Sequence, residues 1–317
     1  MSHAVGIEIG GTKLQMGLGL KDGKIIHIAR DQVDPTRGAE GIRTVIPQLM
    51  DDLLQKASLA KKDISGIGVG FGGPVNSRTG ITLKSHQIQG WDNFPLQTWL
   101  ERQFSCPVTI QNDASTAGYA EAMIGAGRGF SRVFYMTIGS GIGGGWILDG
   151  KIDEGQGLGA AEIGHTWLPD PETGEPDRLE QLCSGWSIGR RTREAIEFGE
   201  QSSIPKLCGG DIKQITAKTV YMAAEQDDLL ALSILDNTCK TLALAICNII
   251  ALYHPEKIII GGGVSLMGEL FWEILQEHIQ THIFLPFSQN VEVLPAALGE
   301  EVVVIGALLL GQTLIRK

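Results

Sequence analysis

The chain is short of the residues that mark a metal-held, secreted or membrane protein. Its five cysteines, Cys106, Cys183, Cys208, Cys239 and Cys247, are odd in number, widely spaced and never in a C-x-x-C pair. That pattern speaks against a disulfide framework and a cysteine-rich zinc site, and leaves reduced thiols as the expectation. No basic stretch followed by an apolar one opens the sequence, and no uninterrupted apolar run approaches the roughly 20 residues that span a bilayer. A membrane is therefore not expected as partner, and the cytoplasm is the default location. Positive charge is scarce too: 26 Lys and Arg stand against 36 Asp and Glu, a net charge of −10. Nucleic acid or anionic lipid is disfavoured as the main partner by that balance.

Glycine is what the chain has in excess, with 42 among 317 residues, roughly twice average usage. Tight turns or sites lined by bare backbone are the expected uses. At this length two domains are expected rather than one core.

Alternation predicts three short strands at 4–9, 14–20 and 24–29, with Lys21, Asp22 and Gly23 as an Asp-Gly turn between the last two. Helical spacing follows over 39–56, a strand over 64–71 ending in GGP, a strand over 108–111 and a helix over 115–124. The first unit thus reads β-β-β-α-β-α-β-α. Residues 132–138 restart the theme with a strand, the loop GSGIGGG, an apolar segment at 146–148 and a second Asp-Gly turn at Asp149 and Gly150. After an irregular middle come a helix at 228–252, a strand at 257–260, a helix at 266–283, a strand at 291–296 and a helix at 302–315. These predict an N-terminal α/β lobe of residues 1–115, joined by the C-terminal helix 302–317, and a second lobe of 116–301. The crevice between lobes is the default site. The apolar residues 242–252 suit the core better than an interface.

Several loops could hold phosphate. GIEIGGTKLQMG at 6–17 is almost a P-loop, but its Thr precedes its Lys, and the residues after it alternate like a strand. GSGIGGG matches G-x-G-x-x-G at Gly139, Gly141 and Gly144, and GVGFGGP at 68–74 matches it too. Neither opens a helix, as a dinucleotide fingerprint must. Glycine hairpins can still form anion-binding nests of N–H groups, or they can simply permit tight turns. Two features favour phosphate. The loops at Gly10 and Gly139 each follow the first strand of a lobe with a hydroxyl nearby, Thr12 in one case and Thr137 with Ser140 in the other. A third loop, GGGV at 261–264, follows a strand and is expected to open a helix suited to a nucleotide.

IEIGGTK, GVGFGGPV, NDASTAGYAEAMIGAGRG, TIGSGIGGG, GLGAAEIGH and IIIGGGV, in this order across nearly the whole chain, resemble the ROK family of repressors, open reading frames and sugar kinases, within the actin and hexokinase ATPase superfamily. The resemblance implies an α/β, two-lobed actin-like ATPase fold (ribonuclease H-like) with ATP and sugar in the interdomain cleft. It implies ATP-dependent phosphorylation of a hexose or N-acetylhexosamine, glucokinase-like at the 6-hydroxyl, by a homodimer using ATP and Mg²⁺. Polyphosphate is the alternative donor. A sugar sensor without chemistry is the alternative role, although the first strand at Ala4 and the acidic charge give no expectation of a DNA-binding domain. A protein-remodelling ATPase is a third reading, and sugar-independent ATP hydrolysis would mark it.

Asp113, at the end of the 108–111 strand in QNDAS, reads from the residues alone as a general base or as a helix N-cap; the family motif NDA implies the base. By the same resemblance Gly72, Gly73, Asn112, Glu162, His165 and Glu180 meet the sugar. Glu162 as a surface charge and His165 as a satisfied core imidazole are the structural alternatives. The nucleotide set is Gly10, Gly11, Thr12, Lys13, Thr137, Gly139, Ser140, Gly141, Gly262 and Gly263, with Lys13 outside the P-loop lysine role. Two departures stand out. Many relatives follow the histidine with a C-x-C-G-x-x-G-C-x-E zinc segment, whereas TWLPDPETGEPDRLEQLCSG holds only Cys183. No structural zinc is expected, and packing by Trp167 and Leu168 is expected to order this loop. The other departure is Glu8, where the family has Asp near Mg²⁺, acting through water.

Overall fold

Alternating small and branched apolar residues open the computed structural model, which describes residues 3–20, 23–85 and 87–316. They form β1 (His3–Ile9), β2 (Lys13–Gly19) and β3 (Ile25–Gln32), an antiparallel meander. Lys21 and Asp22 of the expected turn lie outside the described residues. α1 (Gly38–Ala57) buries Ile42, Ile46, Leu49 and Leu53, a stripe at helical spacing that packs on β3 and β2. β4 (Ile64–Phe71) then pairs parallel with β1. A small hairpin, β5 (Val75–Asn76) and β6 (Ile81–Thr82), precedes α2 (Leu96–Phe104), β7 (Val108–Asn112) and α3 (Asp113–Ile124). The first sheet runs β3-β2-β1-β4-β7.

The theme returns with β8 (Arg132–Ile138), β9 (Ile142–Leu148) and β10 (Lys151–Ile152). Next come the hairpin β11 (Trp167–Pro169) and β12 (Pro176–Arg178), then α4 (Leu179–Cys183), α5 (Gly185–Glu197), α6 (Ile204–Leu207), α7 (Ala217–Ala224) and α8 (Leu229–Tyr253). β13 (Lys257–Gly261), α9 (Glu269–His282), β14 (Glu292–Pro295) and α10 (Val302–Thr313) complete the chain. The second sheet runs β10-β9-β8-β13-β14, with β13 parallel to β8 and β14.

Contacts group the chain into two units: Met1–Ser131 with Gly145–Ala160 and Ala297–Lys317, and Arg132–Gly144 with Ala161–Ala296. The first unit runs past residue 115 because α3 packs on α10, β4 and β7.

Much of the glycine excess serves α10. A Cβ on Gly68 would lie 1.9 Å from Ala307 O, one on Gly6 2.3 Å from Val304 O, and one on Gly306 2.0 Å from Thr116 O. Strand and helix backbones touch there, so a helix apolar on nearly all sides is buried against β1 and β4 and against α3. α8 is long and apolar enough to cross a membrane by length and composition, yet most of that stretch is buried within the protein. Its residues Leu242, Ala245, Ile246, Ile249 and Ile250 belong to the core.

Two expectations change. β9 starts at Ile142, so the second glycine loop is only residues 139–141. GGGV does not open an α-helix: Gly263–Leu266 is a single 3-10 turn, and α9 starts at Glu269 after Gly268. The cause is local. Gly262 sits at φ +85°, with the place of its missing Cβ 2.5 Å from Ile138 O, and its carbonyl accepts both the N–H and the Oγ–H of Ser265.

Candidate active site

In the first unit, the parallel register pairs Ile9 with Phe71 and Phe71 with Asn112. The residues that follow these strands, Gly10, Gly72 and Asp113, therefore line up at the carboxyl end of the sheet, where open α/β sheets hold ligands. Gly72 N donates to Ile9 O at 2.8 Å. A Cβ on Gly72 would press on Ile9 O at 3.2 Å and lie in contact, at 3.5 Å, with both Gly10 Cα and Asp113 Oδ2, so Gly72 packs directly beside the carboxylate. The N-cap of α3 is Asn112, not Asp113: Asn112 Oδ1 accepts from Ala114 N at 2.9 Å and Ser115 N at 3.3 Å, while its Nδ2 donates to Gly73 O at 3.2 Å. The second amide hydrogen of Asn112 takes no part in these bonds. Asp113 opens the helix, its Oδ1 accepting from Ala114 N at 2.8 Å.

The first hairpin closes through Gly10 N to Lys13 O at 3.0 Å. Thr12 is exposed, and the Gln87 side chain covers the face of Gly11 where a Cβ would be. Lys13 turns back to Glu8 Oε1 at 3.7 Å and donates to Glu300 O at 3.2 Å. Glu8 also accepts from Gln15, which in turn accepts from Arg30 Nε at 3.0 Å. Burial raises the pKa of Glu8 above its ordinary value, opposed by the Gln15 hydrogen bond and by the charges of Lys13 and Arg30. A direct Mg²⁺ ligand role does not fit this carboxylate, because both oxygens are engaged and Lys13 already supplies a cation. Among the described residues, no three His, Cys, Asp or Glu side chains gather as a metal site.

The second unit repeats the edge. Gly261 pairs with Thr137, which sets the loops at Gly139 and Gly262 side by side beyond β8 and β13. Gly139 N bonds to Gly141 O at 2.9 Å, and Gly185 N, at the start of α5, donates to Gly139 O at 2.7 Å. Ser140 is exposed. Nothing lies within 4 Å of where a Cβ would stand on Gly139 or Gly263. Both glycines therefore present open faces. Gly141 is different: a Cβ there would lie 2.4 Å from Glu180 Oε2, which accepts from Ile142 N at 2.9 Å.

Glu162, His165 and Glu180 come together beside that hairpin. Gly164 packs so closely on β9 that a Cβ would lie 2.0 Å from Ile142 O, and α4 presents Glu180 to the same strand. Loss of water around the Glu162 carboxyl raises its pKa; the charge of His165 opposes the shift and that of Glu180 adds to it. Trp167 does not order this segment, being 66% exposed, whereas Leu168 is buried. Sequence reasoning missed Gln87 and Arg191. Arg191 lies in the polar run GRRTRE, and its pairing with the 170–172 turn carries no local signal.

Two α/β units, each with a glycine hairpin on a five-stranded sheet, define an actin-like ATPase fold. The ROK family profile matches residues 4–313, and the chain belongs to the ROK family. It is 33% identical to a glucokinase of Halalkalibacterium halodurans, over 95% of this chain and 92% of that one. It is 32% identical to a glucokinase of Thermotoga maritima, over 96% and 95%. Among solved structures, a ROK family glucokinase from Streptomyces griseus in complex with glucose and AMPPNP superposes with a TM-score of 0.82 at 27% identity, covering 98% of this chain and all of that one.

Proposed function

We propose that the protein is a sugar kinase that transfers the γ-phosphoryl group of ATP to a hexose or N-acetylhexosamine, at the 6-hydroxyl. The observation that carries this reading is Asp113 at the carboxyl end of β7, beside Gly72 and Gly10 at the ends of the neighbouring strands. A carboxylate so placed accepts the proton of the attacking hydroxyl, a contribution of about 10² to 10⁴ in rate. Asn112 turns its spare amide hydrogen to the sugar, and Gly72 and Gly73 allow the ring to approach the backbone. Glu162, His165 and Glu180 meet the remaining hydroxyls; carboxylates that each accept from two hydroxyls suit a polyol. Gly10, Gly11 and Thr12, with Thr137, Gly139, Ser140, Gly141, Gly262 and Gly263, form the phosphate-binding backbone. Lys13 serves as counter-charge to Glu8 rather than as a phosphate ligand. Bound ATP supplies the phosphoryl group, with Mg²⁺ carried on its phosphates.

The same reading makes the protein a cytoplasmic homodimer, with no nucleic-acid or membrane partner. The glucokinase relatives favour catalysis over sugar sensing. Sugar-dependent release of ADP, measured across a panel of hexoses and N-acetylhexosamines, tests the reading, and replacing ATP by polyphosphate tests the donor. Absence of turnover with every sugar and either donor would overturn it.

A further inference from the structure

The β11–β12 hairpin has a weak fold of its own. It contains three residue pairs, Trp167 with Arg178, Leu168 with Asp177 and Pro169 with Pro176, and a two-stranded hairpin of that size is at best marginal in water. Trp167, Pro169 and residues 172–176 are exposed. Yet its two feet carry His165 and Glu180, brought together by Leu179 N donating to Thr166 O at 2.8 Å. Some other part of the chain must hold the hairpin still.

The geometry points to Arg191 as the positioning residue that anchors this hairpin, an inference that rests on the sugar-kinase reading. Arg191 projects from α5 and is only 8% exposed, with Nη2 3.0 Å from Glu172 Oε1 and 3.6 Å from Asp170 Oδ1. The contacts are ionic rather than aligned hydrogen bonds. Asp170 is the organiser of the turn: its Oδ1 accepts from Glu172 N at 2.8 Å and Thr173 N at 3.2 Å, and its backbone exchanges bonds with Glu175 and Gly174. Asn237 of α8 donates to the same Glu172 oxygen at 3.3 Å. The tip of the hairpin is thus tied to two helices, one of which begins at Gly185, bonded to the Gly139 loop. A buried guanidinium must stay paired, so the two carboxylates on the turn are held against Nη2. Moving the tip moves the feet, and with them the two groups assigned to sugar hydroxyls.

The test is steady-state kinetics of ADP release by the whole protein. Arg191→Met is expected to raise the KM for sugar about ten-fold, the loss of one good hydrogen bond, with kcat within about two-fold and the KM for ATP unchanged. A merely structural role would lower the active fraction, and so the apparent kcat, without moving the sugar KM. Arg191→Lys keeps the charge without the guanidinium and is expected to fall between the two. If Arg191→Met does not fold, Asp170→Asn decides, since it removes the charge but keeps an acceptor for the turn. An unchanged sugar KM in the soluble variants overturns the inference. No sugar-dependent turnover in the unaltered protein would overturn the kinase reading instead.

Discussion

The two glycine hairpins share a plan and differ in what presses on them. The loop after β1 neighbours the proposed base, Asp113, through Gly72, and its own carboxylate, Glu8, pairs with Lys13 of the same hairpin at 3.7 Å. The loop after β8 is held by Glu180, an anion from a separate helix that belongs to the proposed sugar set. On the proposed reading the first hairpin therefore sits with the group that sets the rate. In the second, the proposed sugar and phosphate groups are tied together by the bond from Ile142 N to Glu180. Changes near the first should appear in kcat, and changes near the second in the KM values.

The sharpest way to break that comparison is Asp113→Asn. The amide cannot take the proton, so kcat should fall by about 10² to 10⁴, while the KM for sugar and the melting temperature stay close to those of the unaltered protein. ADP release that survives the substitution would remove the base from the first unit.

Most of the fold could be read in the sequence because hydrophobic periodicity is a local property: the stretches 64–71 and 132–138 and the apolar spacing of α1 and α8 emerge as strands and helices. The uses of glycine were harder to assign. Gly6, Gly68 and Gly306 serve a helix that returns from the far end of the chain, and a close approach between distant segments leaves no mark beside the residues that permit it. GGGV looked like the start of a long helix, but Gly262 and Gly268 at positive φ break it into a 3-10 turn and a separate α9. In the site, the order of motifs points to the individual residues, whereas the ties among them, such as Gln87 on Gly11 or Glu180 on Ile142, are tertiary. Trp167 illustrates the limit: a large apolar residue suggested packing, yet the hairpin is anchored by charges on Asp170, Glu172 and Arg191.

The next largest effects should come from two glycines of the second hairpin, separated only by Ser140. In Gly141→Ala the new methyl meets Glu180 Oε2, so the carboxylate must move and release Ile142 N. Both KM values are expected to rise, each about ten-fold, the cost of a disturbed hydrogen bond to a charged group. In Gly139→Ala the methyl enters empty space. The melting temperature and the sugar KM should stay fixed, and the KM for ATP should rise a few-fold, roughly 1 kcal/mol or less. If Gly139→Ala shifts the sugar KM as much as Gly141→Ala does, the division between an open phosphate face and a carboxylate-filled one is wrong.

The smallest expected effect concerns Glu8 and is read as stability rather than rate. Burial raises its pKa in the folded chain above the ordinary 4.5, so between those two values the folded protein binds more protons than the unfolded one. Stability contributed by this group is present in full below 4.5 and is lost as pH rises through the raised value. Glu8→Gln has no such proton to lose. The difference in melting temperature, Glu8→Gln minus unaltered, should therefore become more positive as pH increases from about 4.5 to 8. A difference that stays flat or falls with pH would mean that Lys13, Gln15 and Arg30 fully offset the burial, and that the first hairpin is held by its ion pair as firmly as the second is by Glu180.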